Sequence, residues 1–331
     1  MTDFLAKPAT GFVLGKFMPP HQGHVFLCDF ASAYCEALTI LVCSLESEPI
    51  AGELRWRWMQ ELFPKARVLW CAEDLPQEPA DHPDFWPIWR DVVRRYAGDP
   101  DVVFASEDYG HRLAAEVGAR FVPVDAARLA RPVSGTAVRA DPFGQWDYIP
   151  QPVRPHFVKR VCLFGPESTG KTTLAQVLVD RFCTVAAPEY GRTYTEAFGV
   201  TVGGEDIRRI VQGHRAAVAA AKRQANRILI EDTDPVLSGV WATMLGAGRD
   251  PWFDAFDDYA DLYLLCDVEA SWVDDGTRYF PDDADRRRFF RLCEAELVKR
   301  GVRYVRITGA DWAQREAQAI QAVANAFQGL P

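Results

Sequence analysis

No pair of cysteines in this chain stands at CxxC spacing, and its eight cysteines make no zinc-ligand pattern. A structural zinc site and a dithiol redox motif are thereby excluded. Cys28, Cys35, Cys43, Cys71, Cys162, Cys183, Cys266 and Cys293 are expected to be buried free thiols, since several, such as Cys43 and Cys266, lie inside apolar runs. No apolar run approaches membrane-spanning length, and the first residues, with Asp3 and Pro8, hold no signal segment. A cytoplasmic protein without a membrane partner is the expectation. Positive charge is also scarce: 37 Lys and Arg against 46 Asp and Glu leave a net charge of −9. That balance excludes a broad electrostatic grip on nucleic acid, so basic residues are expected only locally, where phosphates bind. Internal repeats and low-complexity tracts are missing as well.

What is present is an ordinary globular composition, 48% hydrophobic and 25% charged, over 331 residues. That length suits two domains, each able to bury its own core. Strand-like apolar runs alternate with helical patterns from end to end, the signature of parallel α/β architecture. In the first half, strands are predicted near 11–14, 38–44, 68–71, 102–106 and 120–124, with helices over 53–62 and 86–96 between them. Three prolines, Pro150, Pro152 and Pro155, end this pattern. The predicted domains are therefore 1–153 and 154–331. Strands near 157–164, 227–231, 261–266 and 303–307 and an alanine-rich helix over 312–327 make up the second. The fold class expected is α/β throughout: a Rossmann-like domain followed by a P-loop domain, both with parallel sheets. The composition permits a homo-oligomer and does not require one.

Two phosphate-binding signatures of unlike design follow predicted strands. The first runs Gly15-Lys16-Phe17-Met18-Pro19-Pro20-His21-Gln22-Gly23-His24 and contains HxGH. Placed at a helix start, His21 and His24 add imidazole donors to the backbone N–H groups there, Gly23 lets the backbone come close, and Lys16 adds charge. A second segment in the same domain, Ser134-Gly135-Thr136-Ala137-Val138-Arg139, opens another helix and brings Arg139 to the β- and γ-phosphates. Together with Gly15 and Phe17 these residues form the expected first ATP site. Adenylyl transfer needs no covalent intermediate, only neutralisation at the α-phosphate while an incoming phosphate attacks and pyrophosphate leaves. Arg55 and Arg57 stand as phosphate contacts or as a solvated helix face.

The second signature, Gly165-Pro166-Glu167-Ser168-Thr169-Gly170-Lys171-Thr172, is a GxxxxGK[ST] loop between a strand and a helix. Gly165, Glu167, Ser168, Thr169, Gly170, Lys171, Thr172 and Thr173 form the expected second ATP site, with Lys171 on the β/γ-phosphates and Thr172 on Mg²⁺. An apolar strand ends at Glu231-Asp232-Thr233-Asp234, where Asp232 or Asp234 orients Mg²⁺. Glu189 is a candidate base or ribose binder. Arg286, Arg287 and Arg288 belong either to a lid over the phosphates or to a solvated helix.

The GxFxPxHxGH and SGTxxR pair resembles the nucleotidyltransferase superfamily, and within it the nicotinamide-nucleotide adenylyltransferases. Ser106–His111 and the Ala140-Asp141-Pro142-Phe143 run resemble the NadR type, as do the PEYGR, EDTD and WVDDGxR segments of the second half. The resemblance covers residues 10 to 330. It implies that the first domain joins NMN to the AMP part of ATP, giving NAD and pyrophosphate. It implies that the second phosphorylates ribosylnicotinamide to NMN. By the same resemblance Trp86 and Trp89 are the aromatic candidates for stacking NMN. Glu189, Tyr190, Arg192, Asp234, Trp272, Asp274, Asp275 and Arg278 are the candidate nucleoside contacts. Some relatives carry an N-terminal helix-turn-helix domain; about ten residues precede the first strand here, so operator binding is not expected.

Two other readings use the same motifs. A phosphopantetheine adenylyltransferase fused to a dephospho-CoA kinase also joins HxGH to a phosphate loop, but EYGR and WVDDG argue against it. An NAD- and ATP-sensing regulator with weak adenylyltransferase activity is the third, disfavoured by intact His21, His24 and Arg139.

Overall fold

The computed structural model describes residues 6–199, 201–270 and 279–330. The chain divides into two compact units, Met1–Arg154 and Pro155–Pro331.

In the first unit the elements are β1 (Thr10–Gly15), α1 (Gln22–Tyr34), β2 (Ala37–Cys43), α2 (Gly52–Leu62), β3 (Arg67–Cys71), α3 (Phe85–Ala97), β4 (Val102–Ala105), α4 (Tyr109–Val117), β5 (Arg120–Pro123) and α5 (Gly135–Ala140). The strands form a parallel sheet in the order β3-β2-β1-β4-β5. Successive strand residues face opposite sides, so each strand feeds two cores. Val13, Ile40, Val42 and Phe104 pack with α1 and α2 on one face, while Phe12, Leu41 and Val103 pack with α3 and α4 on the other. Burial on both faces explains why these strands read as apolar runs rather than alternating ones. β1 lies where the chain's direction across the sheet reverses, and a crevice at the carboxyl ends of β1 and β4 is the usual ligand position in such sheets.

The second unit contains β6 (Lys159–Phe164), α6 (Lys171–Phe182), β7 (Val185–Ala187), α7 (Tyr190–Phe198), α8 (Gly204–Lys222), β8 (Ile228–Asp232), α9 (Pro235–Met244), α10 (Trp252–Ala255), β9 (Leu262–Cys266), α11 (Asp283–Arg300), β10 (Tyr304–Ile307) and α12 (Trp312–Ala326). Its parallel sheet has the order β10-β9-β6-β8-β7. β6, β8 and β9 are almost wholly buried. The central strand, β6, therefore delivers the phosphate loop to the middle of the sheet's carboxyl edge.

The expectation of two parallel α/β sheets holds, with strand ends within one to two residues of those predicted for most strands. β7 is an addition: three residues are too few to stand out as a periodic run. Seven cysteines are buried as expected, and Cys183 is exposed.

Candidate active sites

His21 caps α1. Its Nδ1 accepts the Gly23 N–H at 3.2 Å, and His24 Nδ1 accepts the His21 N–H at 3.3 Å. This reciprocal capping box holds the two rings stacked, with centroids 3.7 Å apart. Phe17, buried at a positive φ of 47°, meets the His24 ring edge-on at 4.9 Å. Because each Nδ1 is an acceptor, a neutral ring carries its proton on Nε2. Burial, and then the charge of Arg128, push the His21 pKa down to about 4. Burial, His21 and Arg128, in that order, hold His24 well below its ordinary value. The pair is thus an uncharged donor couple near neutral pH.

The second motif is strapped to the first across 121 residues of chain: Arg139 Nη1 donates to the Met18 carbonyl, while its Nη2 reaches Thr136 Oγ1 at 3.2 Å. Ser134 caps α5 by accepting the Ala137 N–H at 3.1 Å. Gly135 permits the approach, since a Cβ there would lie 2.6 Å from the Met18 carbonyl oxygen. On the other side of the loop, Arg55 donates to the Lys16 carbonyl at 2.8 Å and to Glu48 at 2.6 Å. Lys16 Nζ is 3.1 Å from the same carboxylate. Burial raises the Glu48 pKa, but Arg55, the Leu45 N–H and Lys16 outweigh that and hold it low.

Two expectations for this unit need correction. Arg55 is neither a phosphate contact nor solvated; it is fully buried and supports the loop backbone. Arg57, two residues on, is the exposed one, paired with Glu53 at 2.5 Å. Trp89 belongs to the core beside Phe12 and Leu41, with its indole N–H on the Pro76 carbonyl at 3.0 Å, so its ring is committed to packing. Trp86 is half-buried at the edge of that core, with the Arg112 guanidinium 5.8 Å from its ring centre.

In the second unit the phosphate loop turns through positive φ at Gly165 (135°), Ser168 (54°) and Gly170 (79°). Such turns direct successive N–H groups inward as an anion nest. Lys171 Nζ and Thr169 Oγ1 both donate to the Pro166 carbonyl, at 2.8 and 2.9 Å. Thr172 Oγ1 donates to Asp232 Oδ2 at 2.6 Å. Asp232 Oδ1 is buried and has no hydrogen-bond partner among the described residues. A hard cation held by one hydroxyl, one carboxylate and substrate phosphates fits that donor set. Thr173 is exposed on the first turn of α6.

Beside the loop lies a pocket whose lining includes Glu167, Glu189, Arg192, Leu237, Trp241 and Tyr279. The rings of Trp241 and Tyr279 are 5.6 Å apart. Glu167, at the second variable position of the loop, is buried and accepts the backbone N–H groups of Tyr279 (2.9 Å) and Phe280 (2.6 Å).

Here too some expectations fail. Asp234 is a helix cap: its Oδ1 accepts the Leu237 N–H at 3.0 Å and its Oδ2 the Tyr263 hydroxyl at 2.7 Å, deep in the core. It is 1% exposed and absent from the lining of the pocket beside the loop, so its observed role is to cap the helix. The Tyr190 ring lies against Gly213 of α8, where an added Cβ would come within 2.0 Å of it, and it is not part of the pocket lining. Arg286 is buried on α11 and donates to the Ala270 carbonyl at 2.9 Å; Arg287 pairs with Asp283, and Arg288 is exposed. Trp272, Asp274, Asp275 and Arg278 lie outside the described residues.

Sequence reasoning passed over several residues that shape these sites. Arg315, fully buried on α12, donates to the carbonyls of Thr169 and Gly309 at 3.0 and 2.9 Å and so braces the phosphate loop. Tyr109 donates to the Leu14 carbonyl at 2.9 Å at the end of β1. Glu231, fully buried, holds Arg160 through two of its guanidinium nitrogens. Trp241 sits in an apolar helix pattern that reads as core. Tyr109 and Glu231 lie in the Ser106–His111 and EDTD segments, but the role of each residue is set by a partner distant in sequence.

The sequence model of the family described as AAA domain matches residues 160–315. The trifunctional NAD biosynthesis/regulator protein NadR of Escherichia coli (strain K12) is 28% identical over 345 residues, spanning 96% of this chain and 83% of that protein. A solved structure of a NadR protein in complex with NR aligns with a TM-score of 0.79 at 22% identity, over 98% of this chain and 97% of that one. Another, in complex with NAD and AMP-PNP, aligns with a TM-score of 0.78 at 23% identity, over 97% of both chains. At those identities the two structures establish a shared fold.

Proposed function

Because this chain is homologous to NadR along nearly its whole length, we propose that it is a nucleotide-metabolising enzyme of NAD biosynthesis with two activities. The second unit, residues 154–331, phosphorylates ribosylnicotinamide to NMN with ATP. The first, residues 1–153, adenylylates NMN with a second ATP, giving NAD and pyrophosphate. The supporting observation is the presence of two phosphate sites of unlike construction on one chain: the stacked His21–His24 couple tied to Arg139, and the loop carrying Thr172 against Asp232.

In the first unit the Nε2–H groups of His21 and His24 donate to the α-phosphate as NMN's phosphate attacks it, and Lys16 and Arg139 face the leaving pyrophosphate. In the second, Lys171 leaves the Pro166 carbonyl for the β/γ-phosphates when ATP enters the nest. Thr172 and Asp232 would hold Mg²⁺, which would supply neutralisation of phosphate charge. Glu189 accepts the proton of the nucleoside's 5′-hydroxyl, and Arg192 with the Trp241–Tyr279 wall orients the nucleoside in the pocket.

The test is product analysis by chromatography. Full-length protein with ribosylnicotinamide, Mg²⁺ and ATP should accumulate NMN and then NAD. Lys171→Ala and Thr172→Val should abolish NMN formation yet still convert supplied NMN to NAD. His24→Ala should stop at NMN. No NMN above the Lys171→Ala background would sink the kinase assignment, and tight NAD binding without adenylylation would favour the sensor reading instead.

A further inference from the structure

Cys43 closes β2 and Cys71 closes β3, and the two are direct register partners across the parallel sheet. Partners on neighbouring parallel strands point to the same side, with backbones about 4.8 Å apart. Both side chains accordingly enter the core that α3 covers. That spacing lies inside the range of about 4.4–6.8 Å between Cα atoms that a disulfide spans. The strand ends stay tied up to the pair: the Ser44 N–H donates to the Cys71 carbonyl at 3.0 Å, and the Trp70 indole N–H to Ser44 Oγ at 2.9 Å. Cys43 is 8% exposed at the carboxyl edge of the sheet and Cys71 1%, which leaves a narrow approach for a small molecule. No CxxC turn announces this pair; sheet register makes it.

The two sulfurs have unlike surroundings. A hydrogen bond from Cys43 favours the Cys71 thiolate; burial opposes it, the Glu73 N–H adds to it, and the Cys71 pKa comes down to about 6. The same hydrogen bond, and then burial, hold Cys43 well above its ordinary value. The Glu73 carboxylate, with Oε1 3.8 Å from Cys71 Sγ, works against the thiolate. It is itself engaged by Arg95 at 3.0 Å and by the Tyr96 hydroxyl at 3.1 Å. One sulfur is thus a nucleophile and its neighbour a protonated thiol within reach, the arrangement of an attacking and a resolving cysteine. Cys28, Cys162 and Cys293 are different: burial pushes each of these thiols up.

We propose that Cys43 and Cys71 form an oxidative modification site for a small hydroperoxide and close reversibly to a disulfide. The Cys71 thiolate attacks one peroxide oxygen and the O–O bond breaks. The hydroxide released takes up the proton that Cys71 had given to solvent, leaving Cys71 as a sulfenic acid. The Cys43 sulfur then attacks the Cys71 sulfur; the S–S bond forms, the S–O bond breaks, and the hydroxyl leaves as water with the Cys43 proton. Two thiols lose two electrons to one peroxide, which becomes two waters. Exchange with a thiol reductant reopens the bond. The site is independent of the nicotinamide assignment above, and its test requires no activity assay.

The experiment treats the full chain with hydrogen peroxide, alkylates the remaining thiols in denaturant and maps the peptides by mass spectrometry without reductant. A cross-linked peptide joining Cys43 to Cys71 should form, and dithiothreitol should reopen it. Cys71 should lose its free thiol roughly tenfold faster, or more, than Cys28 and Cys293, which are just as buried. In Cys43→Ser the Cys71 sulfenic acid should persist and be captured by dimedone. In Cys71→Ser the Cys43 thiol should survive the same exposure. Equal loss at Cys71 and Cys28 would mean reaction through general unfolding and would overturn the proposal. So would Cys71 sulfinic acid in the parent without the cross-link, or undiminished oxidation of Cys43 in Cys71→Ser. Should a serine variant fail to fold, the peptide map of the parent decides by itself.

Discussion

Arg160 joins the strand that carries the phosphate loop to the strand that carries Asp232, which makes Arg160→Met an informative perturbation. Its Nη2 donates to Glu231 Oε2 at 3.0 Å and its Nε to Oε1. The Glu231 side chain is 0% exposed and that of Arg160 9%. Methionine keeps most of the stem and removes the charge, leaving a carboxylate buried without its cation. Breaking such a pair costs about 3–5 kcal/mol, whereas replacing both partners with apolar residues is close to neutral. At about 1.36 kcal/mol per factor of ten, the loss corresponds to roughly 10²- to 10⁴-fold in the opening equilibrium. Amide hydrogen exchange of the full chain, read on β6 and β8 peptides, should accelerate by that factor in Arg160→Met. In Arg160→Met/Glu231→Leu it should return to within about 1 kcal/mol of the parent. The pH dependence has a definite sign. Burial alone raises the Glu231 pKa, but His214 and Arg160 outweigh it and hold the carboxyl below its ordinary value. The pair's contribution is therefore present above the unfolded-chain pKa and lost as the pH falls through the folded one. In Arg160→Met the carboxyl protonates at higher pH, so the deficit should narrow on acidification. Exchange within threefold of the parent, or a double variant as labile as the single one, would refute the reasoning.

Two further outcomes are expected. With the His21 pKa near 4, His21 should add no inflection near 6.5 to kcat/KM for NMN adenylylation, leaving there only the second ionisation of the substrate phosphate, and the first unit should lose stability as the pH falls from 6.5 towards 4, where the unfolded chain takes up a proton that the folded ring refuses. An acid limb centred near 6.5 that vanishes in His21→Asn would contradict this. Gly135→Ala places a Cβ 2.6 Å from the Met18 carbonyl oxygen, on backbone that cannot swing away. It should cost about 1–3 kcal/mol by overpacking and depress adenylylation while leaving phosphorylation of the nucleoside unchanged; assaying both reactions on one preparation decides it.

How much of this was legible in the sequence depended on whether a feature's partners were near it in the chain. His21 and His24 bond each other's turn, and the phosphate loop is eight consecutive residues, so both stood out as motifs. The strands were legible because burial on both faces leaves them apolar along their length. Arg55 and Arg57 were treated alike, yet two residues apart on a helix means different faces, and only Arg55 turns inward to the Lys16 carbonyl. Asp234 carried a cap signal, an acid directly before Pro235 at a helix start, which the acidic strand end obscured. The Trp86–Trp89 pair could not be apportioned between core and ligand without knowing which side of α3 met the sheet. Arg315 gave no signal at all, since its three carbonyl partners come from Thr169, Asp267 and Gly309.

Glu167 has a consequence for how the second unit senses its two substrates. Its carboxylate belongs to the phosphate loop, yet it holds the amides of Tyr279 and Phe280, and Tyr279 is a wall of the neighbouring pocket. Loop and wall are hinged on one side chain. Ordering of either by its ligand lowers the entropy cost of ordering the other, and thermodynamic linkage makes that favour equal in both directions. Two substrates would then bind as a cooperative pair, through a carboxylate common to the loop and the pocket.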